Sequence, residues 1–196
     1  LTGSVYANGG TSRNTLYGGD RAGSRYYLAG ESQYYMSGAT LTAATPTNKA
    51  FSGRIDPGFS SNLMSIMINP FVKFHGLEVF GTYEMSSGSA GLSNVLDSVD
   101  RSFSQISGSV VYRFLAEEQC YVGVRYNTVT GRLYGYTDDD GDVNVNRLQV
   151  AAGWFPTENL LLKLEYVDQK YDNFKTTDVR NGLEFKGVMV EASVGF

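Results

Sequence analysis

The chain has no apolar run approaching the ~18–20 residues that a membrane-spanning helix needs. Its 196 residues include one cysteine, one histidine and four prolines. The lone thiol, Cys120, excludes an intramolecular disulfide and leaves the redox compartment open. The lone imidazole, His75, falls in the shortest expected turn, and no Ser-His-Asp arrangement can be built elsewhere. Cys120 has no histidine beside it to activate a thiolate. No catalytic residues are therefore expected, and the chain is not read as an enzyme. Net charge is −4 and pI about 5.0, with no basic stripe, so nucleic acid is not an expected partner. The chain also lacks an initiator Met and a signal peptide, and is read as either a mature form or a fragment.

Two motifs fail for want of one residue type. Gly18-Gly19-Asp20-Arg21-Ala22-Gly23-Ser24-Arg25 has the glycines of a phosphate loop without its Lys-Ser/Thr or a following helix. Asp138-Asp139-Asp140-Gly141-Asp142, aligned on Gly141 as a calcium loop, would set Tyr136 and Arg147 where carboxylates are required. It reads as an exposed acidic turn, with a loose surface site for a divalent ion as the alternative. No metal and no cofactor are expected.

What the sequence has in quantity is Tyr, Phe and Gly, at 14, 11 and 23 residues, a composition that favours strands. Alternation with period two runs through seven segments: 63–74, 77–85, 105–114, 121–127, 147–154, 160–169 and the C-terminal strand ending at Phe196. In the last, Val188, Val190, Ala192, Val194 and Phe196 share one face, opposite Gly187, Met189, Glu191, Ser193 and Gly195. Mean hydropathy is only −0.21, because such strands hide their apolar residues at every second position.

The connections alternate too. Short turns fall around His75-Gly76, Ala116-Glu117-Glu118 and Pro156-Thr157-Glu158. Long polar loops cover 87–101, 132–142 and 173–182. Phe74, Phe114, Trp154 and Phe196 end descending strands at spacings of 40, 40 and 42 residues, the pattern of an aromatic girdle at a membrane interface. The expected fold is all-β: an antiparallel transmembrane β-barrel with at least eight strands visible, short turns periplasmic, loops outside and the C-terminus periplasmic. The competing arrangement is a soluble β-sandwich, which also buries one face of alternating strands.

Residues 1–60 are read as an N-terminal strand end plus a long extracellular or constriction loop, or a loop carrying an extra hairpin. Its bases Arg13, Arg21, Arg25, Lys49 and Arg54 would favour anions if it lined a pore. Residues 61–196 carry the seven transmembrane strands. The first segment is shorter than a spanning strand, and an open edge is not tolerated in lipid. Either the barrel is small with a short first strand, or further strands precede Leu1; the second is favoured, which would make the chain the C-terminal part of a larger barrel.

Lys73, Glu78, Glu84, Arg113, Arg125, Arg147, Lys163, Glu165 and Glu191 are expected on the lumen-facing side. In a narrow barrel they would pair into a packed network; in a wide one they would line water.

Three stretches resemble the C-terminal part of porin-like outer-membrane proteins of Bacteroidetes. They are residues 14–27 (Asn14-Thr15-Leu16-Tyr17-Gly18-Gly19-Asp20-Arg21 and onward), Ile68-Asn69-Pro70-Phe71-Val72-Lys73-Phe74-His75-Gly76-Leu77-Glu78, and Gly153-Trp154-Phe155 with Lys163-Leu164-Glu165-Tyr166-Val167. The resemblance covers residues 13–196. It implies a β-barrel, a bacterial outer-membrane location and solute passage, in proteins longer at the N-terminus. In that phylum Asp97-Ser98-Val99 also resembles an O-glycosylation acceptor. The expected function is a porin-like channel for passive diffusion of small hydrophilic solutes. The alternative is a non-conducting structural or accessory barrel bound to another envelope protein. Expected partners are outer-membrane lipid and lipopolysaccharide, and the barrel-assembly machinery through the C-terminal strand.

Overall fold

A computed structural model describes residues 1–8, 34–37, 40–43, 55, 59, 61–89, 91–92, 95–96, 100–133, 136–178 and 180–195. It is all-β. The strands are β1 (Thr2–Asn8), β2 (Tyr34–Ser37), β3 (Thr40–Ala43), β4 (Ser61–Asn69), β5 (Phe71–Phe74), β6 (Leu77–Ser89), β7 (Gly91–Leu92), β8 (Val95–Leu96), β9 (Arg101–Phe114), β10 (Cys120–Gly131), β11 (Val143–Thr157), β12 (Leu160–Asp172) and β13 (Glu184–Val194). One nine-stranded antiparallel sheet carries the fold, in the order β1-β4-β6-β9-β10-β11-β12-β13, with β5 also pairing β6. β4 and β5 are one line of chain broken at Pro70, which has no N–H for the ladder. From β4 onward the sheet is a meander, each strand lying beside the next in sequence. β2 with β3, and β7 with β8, form small separate hairpins. Among the described residues β1 and β13 each pair with a single neighbour, so the sheet has two edges and is not closed. No helix among the described residues is long and apolar enough to cross a membrane, which says nothing of strands.

The strands begin and end where the turn chemistry allows. His75 and Gly76 both take positive φ, 44° and 77°. A Cβ at Gly76 would lie 2.5 Å from the Arg113 carbonyl oxygen, so this tight turn needs glycine. At the opposite end β6, β9, β10, β11 and β12 run three to four residues further than their alternation predicts, to Ser89, Arg101, Gly131, Val143 and Asp172.

Among the described residues the buried apolar core gathers at that loop end. It comprises Ile55, Phe59, Leu63, Phe103, Val129, Leu133, Val143, Val145, Tyr171 and Phe174, with Tyr136 and Leu183 against it. Phe103, Val129, Val143, Val145 and Tyr171 come from the strand extensions, and Leu63 from the start of β4. Ile55 and Phe59 arrive from the segment before β4. Phe59 meets Phe103 edge-on at 6.2 Å. Phe103 in turn lies across Gly131 of the paired strand, where a Cβ would sit 2.5 Å from its ring. Removing this ring leaves a hole that backbone alone cannot fill. Phe103→Ala is expected to lower unfolding stability by about 3–5 kcal/mol, read by denaturant unfolding of the folded chain; an unchanged midpoint would mean the core does not hold the loop end together.

Candidate functional site

The two faces of the sheet differ in a way that changes with height. We call inner the face whose central side chains are buried. From the short-turn end, the outer face carries first Phe74, Phe114 and Trp154, the last 52% exposed. Phe114 and Trp154 flank Cys120 in one row of the ladder, and Phe74 is one row away through Leu77 and Tyr112. Above them Val79, Val110, Val124, Val150 and Val188 follow one another across the sheet with Tyr166 between the last two. All are exposed. Tyr83, Tyr126 and Tyr166 close this apolar band at its top. On β6 the band runs on to Met85, 53% exposed, but beyond it on β9, β10, β11 and β12 the outer face becomes polar: Ser102, Ser104, Thr128, Thr130, Asn144, Asn146, Lys170 and Asp172. These residues bond to one another. The Tyr126 hydroxyl donates to Asn146 Oδ1 at 2.9 Å, Asn146 Nδ2 to Asp172 Oδ2 at 3.2 Å and Asn144 Nδ2 to Thr130 Oγ1 at 2.7 Å.

The inner face runs the other way. At the short-turn mouth it is charged and half open. Glu78 receives Arg113 Nε at 3.1 Å and Lys73 at 3.2 Å, with Glu118 3.7 Å from Lys73. The Arg113 guanidinium stands 5.6 Å from the Tyr121 ring centre, and Tyr121 itself lies over Gly153. Lys163 bridges Glu165 at 2.5 Å and Glu191 at 3.7 Å. Higher up comes a hydrogen-bonded belt. Ser65 donates to Glu84 (2.8 Å), Gln105 to Asn127 (2.9 Å) and Gln149 to Glu165 (2.7 Å). Arg147, only 1% exposed, donates through Nη1 to Gln169 at 2.8 Å, and Gln169 donates to the Tyr171 hydroxyl at 2.7 Å. Above the belt lies the apolar core.

All nine charges expected on the polar side lie on this inner face, but they do not form one network. Lys73, Glu78 and Arg113 meet at the mouth, joined by Glu118, a turn residue that alternation does not assign to either face. Lys163, Glu165 and Glu191 form a second group. Glu84 and Arg147 are buried in the belt, and Arg125 is half-buried beside Ser109 and Gln149. Phe74, Phe114 and Trp154 sit at the short-turn end of the outer face. Phe196, the fourth expected girdle member, lies outside the described residues, as do residues 13–25, Lys49, Arg54 and Asp97–Val99. The sequence reading missed the apolar core. Its signal was present: Val143 and Val145 continue the inner phase of Arg147, and Phe103 that of Gln105.

The loop end is fastened by its own ion pairs. Lys175 Nζ reaches Asp140 at 2.9 Å and stands 4.6 Å from the Tyr136 ring centre. The Tyr136 hydroxyl donates to Asp178 (3.3 Å) and accepts from the Lys175 N–H (3.2 Å). The expected acidic turn at 138–142 is thus divided among cations. Arg132 takes Asp138 and Asp142, and Lys175 takes Asp140. Burial opposes ionisation of Asp178, but the bonds from Arg180 outweigh it and hold its pKa below the ordinary value. Asp140 is pushed down to about 2, first by the Thr137 N–H at 2.7 Å and then by Lys175. Among the described residues no group of three or more His, Cys, Asp or Glu is disposed to hold a metal.

Comparison with protein families, with curated proteins and with solved structures gives no match for this chain.

Two outcomes follow from the geometry. Gln169→Leu would strip Arg147 Nη1 of its acceptor in a buried setting, and should cost about 1.5–3 kcal/mol in unfolding stability; a neutral effect would mean another group already holds the guanidinium. For Asp140 the folded pKa lies below the ordinary 3.8. The turn's stabilisation is therefore complete above that value and lost as pH falls through about 2. Carboxyl-carbon NMR should give that low midpoint, and a midpoint near the ordinary value would mean the Thr137–Lys175 cap does not form.

Proposed function

We propose that the chain is a membrane-embedded β-sheet protein of the bacterial outer-membrane barrel type, with an interior sealed at the loop end, acting as a structural or accessory barrel rather than as a pore. The observation that carries this reading is the inversion of polarity along the strands. In the lower part apolar residues face out and polar residues face in, the reverse of a water-soluble sheet and the pattern of a lipid-facing one. In the upper part apolar residues face in and polar residues face out, the pattern of a sheet in water. The change comes within a few residues on β9, β10, β11 and β12, as at a membrane surface.

The apolar band runs from seven residues on β11 (Leu148–Trp154) to eleven along β4 and β5 (Met64–Phe74). At roughly 3.3 Å per residue that is about 20–33 Å along tilted strands, comparable to the ~25 Å band of outer-membrane barrels. Aromatics flank it on both sides, with Tyr126 turning its hydroxyl toward the polar side. The resemblance of the sequence to porin-like proteins points to the same membrane. The C-terminal strand would descend to the periplasmic side.

The apolar core favours the non-conducting alternative over passive diffusion. A hydrophilic solute entering from the mouth would pass the charged groups and the belt, then meet Val143 and Val145 at 0% exposure packed against Ile55 and Phe59. In lipid the edges of β1 and β13 each require a neighbouring strand.

The test is reconstitution of the full chain. Folded protein should float with lipid vesicles and be silent in a planar bilayer, whereas Ile55→Ser with Phe59→Ser should admit current. Stepwise conductance by the unaltered protein would sink the sealed reading. Folded protein recovered apart from the vesicles would sink the membrane reading itself.

A further inference from the structure

The outer face is not uniformly ridged. Between the girdle and the apolar band it holds a trough with a cavity volume of about 450 Å³. Ala152 and Cys120 form its floor. Phe114 and Trp154 bound it at the short-turn end, and Leu164 and Val190 bound it at the side. The trough exists because two small side chains fall where the ladder sets large ones on every side. Ala152 pairs laterally with Val122 and Leu164, and Cys120 with Phe114 and Trp154.

Its chemistry narrows what can fill it. The backbone under the floor is committed to the ladders of β9, β10, β11 and β12, so no strand can add there. The walls offer carbon. The ion pairs at this height, Lys163 with Glu165 and Glu191, and Arg113 with Glu78, belong to the opposite face. Lys163 contributes to the lining, but its ammonium is paired with Glu165 and Glu191, so a ligand's polar head would find no free charge there. A saturated hydrocarbon chain needs nothing of the kind. The trough is also continuous with the apolar band, and its Phe114–Trp154 end lies at the girdle, the level at which a lipid's chain begins below its headgroup.

We propose that this trough holds one acyl chain of a membrane lipid. The site rests on the membrane-embedded reading above. It differs from general lipid contact in having a floor that one substitution can fill.

Trp154, the sole tryptophan, reports directly on the trough wall. The experiment uses the full chain in phosphatidylcholine vesicles containing a fraction of phosphatidylcholine brominated in mid-chain, which quenches indole fluorescence on contact. Ala152→Leu fills the floor. Ala7→Leu makes the same change on the same face of β1, away from the trough. A held chain predicts strong quenching in the unaltered protein and in Ala7→Leu, and loss of most of it in Ala152→Leu. Equal quenching in all three overturns the site while leaving the membrane reading intact. Absence of quenching in all three, with folded protein, fails the membrane reading instead. Quenching that fades as the protein-to-lipid ratio rises would assign the trough to a second copy of the chain and overturn the lipid occupant.

Discussion

The inter-strand hydrogen-bond ladder is the constraint from which the rest follows. β4, β6, β9, β10, β11 and β12 each bond neighbours on both sides, so their backbone is satisfied without help from solvent. Once that is done, the side chains are free to take either polarity on either face. A soluble sheet uses this freedom in one way along its whole length. Here it is used in both ways along the same strands. β11 reads Val143, Val145, Arg147, Gln149 on its inner face and Asn144, Asn146, Leu148, Val150 on its outer face. The change in sign takes four residues and leaves the ladder with β10 unbroken.

The inner belt shows what this costs and how the cost is met. Arg147, Glu84 and Glu165 are nearly removed from water, and a buried charge without partners is unfavourable by several kcal/mol. Short hydroxyl and amide side chains supply the partners. Ser65 bonds Glu84, Gln149 bonds Glu165 and Gln169 bonds Arg147. Lys163 adds a charge to Glu165. Toward the mouth, where side chains are half open to solvent, ion pairs such as Lys73–Glu78 replace amide bonds; exposed pairs of that kind contribute about 0–1 kcal/mol. Their value lies in neutralising the mouth more than in holding the sheet.

Much of this was legible in the sequence, for a definite reason. Period-two alternation identifies strands while one face keeps one polarity. It therefore found β9 from Gln105, β10 as far as Asn127, β11 from Arg147 and β12 as far as Gln169. It stopped there because the phase of the apolar residues slips by one. Val143 and Val145 stand on the face where Arg147 stands, and a reader following Leu148, Val150 and Ala152 backward meets Asn146 and Asn144 and sees a loop. The faces of all nine charges could be read from parity alone. Their grouping could not, because it depends on which rows the strand register brings together. Glu118 joins Lys73 across a turn, and nothing local to either residue predicts it. The parts played by Ile55 and Phe59 were hidden more completely, since they lie in a stretch with no alternation and gain meaning only from Phe103, Val129 and Val145, brought together from far along the chain.

The same slip in phase bears on solute passage more than any charge does. A lumen-lining charge selects among ions that already have a path. On the sealed reading proposed above, the upper inner face removes the path, because a dry aliphatic layer offers a hydrated solute no replacement for the water it must shed. Such a layer is also self-reinforcing. Val143 and Val145 are fully buried in one cluster with Phe59 and Ile55, and Gly131 gives Phe103 the room to lie across it. The Lys175–Asp140 ion pair and the hydrogen bond from Tyr136 to Asp178 then tie the two loops that border the core. Nothing in the charged mouth requires that arrangement. On the membrane reading proposed above, it follows from strands that continue past their apolar outer band into water, where an inner apolar face lets them remain a sheet.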